Sequence, residues 1–132
     1  FTFFASAETI SMTGAKPVFV DIAAHSFNLN LDLLESAITE RTKAIMPVHL
    51  FGRPVDMPKL MAIAKKHNLY VIEDCAQATG AISNGEKVGS IGDVGCFSFY
   101  PTKNLGGCGD GGLMTTNNAD IHKKLRILRE HG

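Results

Sequence analysis

Asp56-Met57-Pro58-Lys59-Leu60-Met61-Ala62-Ile63-Ala64-Lys65-Lys66-His67-Asn68-Leu69-Tyr70-Val71-Ile72-Glu73-Asp74 carries two periodicities in succession. Asp56 is a helix cap, because a short acidic side chain can accept from the exposed N–H groups of a first turn. Leu60, Met61 and Ala64 then fall on an inward face and Lys65 and Lys66 on an outward one, which predicts a helix. Tyr70-Val71-Ile72 is a short apolar strand that stops at two carboxylates, Glu73 and Asp74. A helix followed at once by a buried strand is the repeating step of an α/β domain.

The same step recurs on both sides of this stretch. Ala7 to Thr13 reads as a short helix stopped by Gly14, and Pro17-Val18-Phe19-Val20-Asp21 as a buried strand ending in a carboxylate. Leu31, Leu34 and Ile38 predict a helix over 31–38, and Ala44 to Leu50 a further strand. Downstream, Ile82 to Val88 contains Asn84-Gly85, a hairpin-turn signal. Val94 to Tyr100 is strand-like up to the break at Pro101, and glycines crowd 106–112. Leu113 to Thr116 makes one more strand, and a helix over about 118–130 sets Ile121, Leu125 and Leu128 on one face. There is no internal repeat and no low-complexity linker. The expectation is an α/β fold with a mostly parallel sheet and helices on both faces.

The composition fits that class. The chain has 132 residues, 45% hydrophobic and 20% charged, the balance of an ordinary globular domain. Thirteen Lys and Arg against thirteen Asp and Glu leave no basic field for nucleic acid. No apolar run is long enough to span a membrane. Cys75, Cys96 and Cys108 form no CxxC pair and no zinc spacing, so they read as reduced thiols of a cytoplasmic protein. Phe1-Thr2-Phe3-Phe4 is already strand- or core-like, and His131-Gly132 directly follows a helix. Residues 1–132 therefore read as an interior part of a longer protein, expected to be inactive alone.

In open α/β sheets ligands bind at the carboxyl ends of the strands, so polar residues just after each apolar run matter most. Asp74 and Gln77 lie one helical turn apart after the 70–72 strand, Ser98 sits between Phe97 and Phe99, and Lys103 follows Tyr100-Pro101-Thr102. Each alone is ordinary: a turn former, a packed serine, a solvated lysine. Together they gather a carboxylate, an amide, a hydroxyl and an amine at one level of one sheet. His49, at a strand end before Leu50-Phe51-Gly52, is a further candidate for that neighbourhood. Gly107-Cys108-Gly109-Asp110-Gly111-Gly112 matches GxGxxG, but it precedes a strand where the dinucleotide fingerprint opens a helix. Its glycines are expected to allow a tight turn or a close approach. There is no Walker-type cradle, no GxSxG elbow and no HExxH pair, so phosphate-loop, serine-hydrolase and zincin chemistry have no support.

Two stretches carry more than position. Val71-Ile72-Glu73-Asp74-Cys75-Ala76-Gln77-Ala78, and Gly92-Asp93-Val94-Gly95-Cys96-Phe97-Ser98-Phe99-Tyr100-Pro101-Thr102-Lys103-Asn104-Leu105-Gly106, closely resemble the DegT/DnrJ/EryC1/StrS family of pyridoxal-phosphate-dependent sugar aminotransferases. The resemblance extends through Gly109-Asp110-Gly111-Gly112 to Leu128-Arg129-Glu130-His131-Gly132, and back through Gly14 to Asp21 and Thr42 to His49. It implies the large domain of a type I aminotransferase fold, with pyridoxal 5′-phosphate as cofactor. It implies that Lys103 forms the Schiff base, Asp74 pairs with the pyridine nitrogen, and Gln77 reaches the ring hydroxyl. Ser98 would help bind the phosphate and Phe3 would stack on the ring. The resemblance also implies a nucleotide-linked keto-sugar substrate, an amino-acid donor (commonly glutamate), no metal, and a homodimer that completes the site. The family's main phosphate motif and small C-terminal domain would lie outside residues 1–132. Relatives with histidine in place of Lys103 dehydrate their sugars, so this lysine favours transamination. Another enzyme of the same fold, or a non-catalytic regulator that kept the fold, are the competing readings.

Overall fold

The computed structural model describes residues 2–130. Phe1, His131 and Gly132, which the sequence reading counts in the apolar start and in the family-like end, lie outside the described residues. Helix α1 (Ala5–Met12) is followed by α2 (Leu31–Ala37), strand β1 (Ala44–Ile45), α3 (Met57–His67) and β2 (Tyr70–Asp74). Then come β3 (Ile82–Ser83), β4 (Glu86–Lys87), β5 (Val94–Ser98), β6 (Gly112–Thr115) and α4 (Ala119–Arg129).

Four strands form one sheet in the order β1-β2-β5-β6, in which β1, β2 and β5 are parallel and β6 is an antiparallel edge. The α/β expectation holds, with one antiparallel strand in a mixed sheet. Asp74 pairs in register with Cys96, so the carboxyl ends of β2 and β5 emerge side by side. Asp56 caps α3 by accepting from the Lys59 N–H at 3.1 Å. Helix α3 turns Met57, Leu60, Ile63 and Ala64 inward, where they pack with Leu31 and Leu34 of α2 and Val71 of β2. Met57 and Leu60 have no solvent exposure, and full burial of one such side chain contributes about 1.5–3 kcal/mol. This core fixes β2 in place, and with it the candidate site.

Asn84 and Gly85 both have positive φ (48° and 86°), the pattern of the tight hairpin turn predicted for Asn-Gly. Gly14, at φ 80°, closes α1 as expected, its N–H donating to Ser11 O at 2.9 Å.

Four predicted features differ. The 17–21 run is not a strand: it pairs with none of β1–β6, Asp21 O accepting from Asn30 N at 3.0 Å beside an isolated Ile22–Leu29 bridge, and Val18 and Phe19 are exposed. Phe3 and Phe4 are likewise exposed, not core. The 44–50 strand shortens to Ala44–Ile45 because Pro47 has no N–H to donate, and beyond an isolated Val48–Asp74 bridge the chain enters a 3₁₀ turn at Leu50–Gly52. In α4, Ile121 and Leu125 are half-buried but Leu128 is exposed.

Candidate active site

Asp74 ends β2. Its Oδ1 accepts from the Ala76 N–H at 3.1 Å, and its Oδ2 accepts from the Ser6 hydroxyl, in the first turn of α1, at 2.7 Å. The carboxylate is therefore held in one orientation by two donors. Nothing in the sequence pointed to Ser6, which lies 68 positions away on a different element. Residues 75–80 form turns, not the helix that the Asp74–Gln77 spacing presupposes; Ala78 N–H returns to Cys75 O at 3.0 Å.

Gln77 nevertheless reaches the site. It lines a cleft of about 420 Å³ with Phe51, Thr102, Lys103 and Asn104, and its Oε1 accepts from the Phe51 N–H at 2.9 Å. Lys103 Nζ stands 5.8 Å from the centroid of the Phe3 ring, within cation–π range. Phe3 is 70% exposed, so the ring is open to a further planar partner. Ser98 terminates β5 beside the end of β2, its Oγ accepting from the Tyr100 N–H at 3.3 Å. The structure thus gathers Gln77 and Lys103 in one cleft with Phe3 against the lysine. Asp74 and Ser98 sit at adjacent strand ends and do not line that cleft.

The glycine cluster behaves as a close-approach loop. Gly107 N–H donates to Phe99 O at 2.8 Å, Phe99 N–H donates to Gly111 O at 2.7 Å, and a Cβ at Gly106 would collide with the Pro101 carbonyl. The segment that carries Lys103 is folded back on the end of β5 in this way.

His49 is not a site residue. It is fully buried, with Nε2 3.0 Å from Glu73 Oε2 and Nδ1 accepting from the Val55 N–H at 3.1 Å. An acceptor Nδ1 puts the ring proton on Nε2, so a neutral imidazole donates to the carboxylate. Glu73, also fully buried, accepts three more hydrogen bonds, from Gly89 N at 2.8 Å, Ile91 N at 2.9 Å and Gly92 N at 2.7 Å. Strand alternation decides this: Glu73 points to the core side with Val71, Asp74 to the other. Burial pushes the Glu73 carboxyl up, but the hydrogen bonds from His49, Gly89, Gly92 and Ile91 outweigh it and hold it below its ordinary value. Cys75 brings its sulfur within 4.8 Å of the His49 and Glu73 ligand atoms. Burial first, then the Glu73 and Asp74 charges, push that thiol well up, and both His49 nitrogens are already engaged. His49 and Glu73 form a hydrogen-bonded clasp, with Cys75 beside it, rather than a metal site.

A group whose folded-state pKa is depressed stabilises the protein above its ordinary value and loses that contribution as pH falls through the folded value. For Glu73 the loss begins near its ordinary 4.5 and completes below it. Glu73→Gln is expected to cost about 1–3 kcal/mol at neutral pH, because its NH₂ faces backbone donors. Paired thermal melts of the whole protein should show the gap between wild type and variant narrowing on acidification below 4.5. A gap independent of pH would contradict the clasp.

The sequence pattern of the DegT/DnrJ/EryC1/StrS aminotransferase family matches residues 1–132. The chain belongs to this family. Among its relatives is a UDP-N-acetyl-3-dehydro-alpha-D-glucosamine 3-aminotransferase of Acidithiobacillus ferrooxidans, 58% identical over all of this chain and 36% of that one. The fold agrees. An aminotransferase from Psychrobacter cryohalolentis superposes with a TM-score of 0.97 at 45% identity, covering 99% of this chain and 33% of that one. The NtdA protein of Bacillus subtilis, solved with bound cofactor PMP, gives 0.86 at 38% identity, covering 93% and 27%. The DegT/DnrJ/EryC1/StrS chain described here thus spans about a third of the length of the curated relative it matches. No helix among the described residues is long and apolar enough to cross a membrane.

Proposed function

We propose that these residues are the lysine-bearing part of a pyridoxal-phosphate-dependent aminotransferase that moves an amino group, with glutamate as donor, onto a nucleotide-linked keto-sugar. The observation that carries this reading is Lys103, set in a cleft with Gln77 and against the open Phe3 ring at the carboxyl edge of the sheet. The donor set fits the cofactor: an amine, an amide whose N–H edge has no partner among the described residues, an oriented carboxylate, a strand-end hydroxyl and an aromatic face. When bound, pyridoxal phosphate supplies an aldehyde for amine exchange and a ring that accepts an electron pair.

Lys103 would hold the cofactor through Nζ and, once displaced by the substrate amine, take and return the proton of the reacting carbon. Asp74 would face the ring nitrogen and keep it protonated, because an opposite charge favours the charged form. Gln77 would donate to the ring oxygen, Ser98 to the phosphate, and Phe3 would cover one ring face. Activity is assigned to a longer, homodimeric cytoplasmic protein in which residues 1–132 belong to the cofactor-binding domain. Lysine rather than histidine at position 103 favours transamination over dehydration.

Borohydride reduction of the cofactor-loaded protein, followed by peptide mapping, should place the label on Lys103. Label on another lysine overturns the assignment. A whole protein that shows no cofactor absorbance would favour the regulator instead.

A further inference from the structure

The turn that meets Gln77 is unusual in its backbone. Phe51 lies at φ 53° and Gly52 at φ 81°, and a phenylalanine in the left-handed region is strained because its Cβ crowds the following carbonyl. Such a conformation persists only where its surroundings over-determine it. Asn28 supplies much of that determination. It is 5% exposed, and its Nδ2 donates to Arg53 O at 2.9 Å and Pro54 O at 3.1 Å, while its Oδ1 accepts from Leu50 N at 3.3 Å. One side chain thereby ties both ends of the turn. His49 adds a third tie through Val55 N.

The consequence reaches the cleft. With the turn held, the Phe51 N–H points at Gln77 and is met at 2.9 Å. An N–H can only donate, so the atom it meets is the amide oxygen, whichever way the amide is drawn. The NH₂ edge of Gln77 makes no hydrogen bond among the described residues, and Gln77 lines the cleft that holds Lys103. In the opposite orientation Gln77 would offer an oxygen and repel an electron-rich ligand atom.

We propose that Asn28 is a positioning residue which, through the 50–54 turn and the Phe51 N–H, fixes Gln77 as a donor-only group facing the cleft. The ligand atom it suits is an oxygen carrying full or partial negative charge, such as a ring phenolate. This inference rests on the pyridoxal-phosphate reading above. Fixing the amide in advance removes the ordering cost that binding would otherwise carry.

The test is a double-mutant cycle on the whole protein, reading the dissociation constant of pyridoxal phosphate and the pH midpoint of the bound cofactor's absorbance. Gln77→Ala is expected to weaken binding on the order of tenfold, the effect of losing one hydrogen bond to a charged acceptor. Asn28→Ala should weaken it several-fold and move the absorbance midpoint in the same direction. In the Gln77→Ala background Asn28→Ala should add nothing. An equal Asn28 effect in both backgrounds, or none in either, overturns the proposal. Should Asn28→Ala fail to fold, Gln77→Glu decides: it keeps an acceptor for Phe51 but loses the donor edge, and should bind more weakly than Gln77→Ala. Binding of Gln77→Glu at wild-type strength overturns the proposal. Failure of the wild type to bind pyridoxal phosphate overturns the reading beneath it, and the inference with it.

Discussion

Lys103→Ala in the whole protein should abolish turnover, and Lys103→Arg should do so equally. The pair separates two jobs a lysine can have at this place. Lys103 stands 5.8 Å from the Phe3 ring, and a purely electrostatic anchor there would be satisfied by any cation. Arginine keeps the charge and stacks well on aromatic faces, but its guanidinium does not give up a proton at any working pH. It can neither hold an aldehyde covalently nor shuttle a proton. General acid–base transfer alone contributes about 10²–10⁴-fold, and the covalent attachment adds to it. The fold should survive both changes, because the Lys103 main chain keeps its own hydrogen bond to Tyr100 O at 2.9 Å. Steady-state rates with a keto-sugar acceptor, together with melting curves, make the measurement. A Lys103→Arg rate within tenfold of wild type would reduce the lysine to an anchor.

How much of this was readable from the residues depends on range. Helix α3 and its Asp56 cap, the Asn84-Gly85 turn and the order of elements are local properties, written in spacing a few residues long. The candidate residues at the strand ends followed from that order plus the rule that ligands meet a parallel sheet at its carboxyl edge. What spacing does not encode is which distant group completes a hydrogen bond. Ser6 meets Asp74 across 68 positions and Asn28 meets the 50–54 turn across more than 20, and neither serine nor asparagine is distinctive in composition. His49 misled for a related reason. A polar residue after an apolar run marks a site only if its side chain faces outward, and alternation puts His49 on the same buried side as Ile45 and Pro47. The Val18-Phe19 run failed as a strand because a continuous apolar run describes what a segment can do, and pairing needs a neighbour.

Asp74→Asn tests whether that carboxylate serves the fold or the chemistry, and the geometry makes the substitution unusually clean. Asparagine keeps an oxygen for the Ala76 N–H, now met at 3.1 Å, so the turn after β2 loses nothing. Its NH₂ would face Ser6, whose hydroxyl can rotate from donating at 2.7 Å to accepting. Both contacts are conserved in number, and Asn caps turns about as well as Asp. Stability should therefore stay within about 0.5 kcal/mol, as for a substitution that breaks no buried contact. The rate should not. A fixed negative charge at the strand end would favour a protonated ring nitrogen, and that matters most when electron density moves into the ring in the transition state. Removing one such preoriented electrostatic contact costs about 10²–10³-fold in rate. Ser6→Ala provides the intermediate case: the charge remains but one of its two tethers goes, so the loss should be smaller than for Asp74→Asn. Single-turnover measurement of the half-reaction with the amino donor, alongside melting temperatures, distinguishes the roles. Slow chemistry at unchanged stability assigns Asp74 to the reaction, whereas a rate within a few-fold of wild type leaves it as the residue that closes β2 and nothing more.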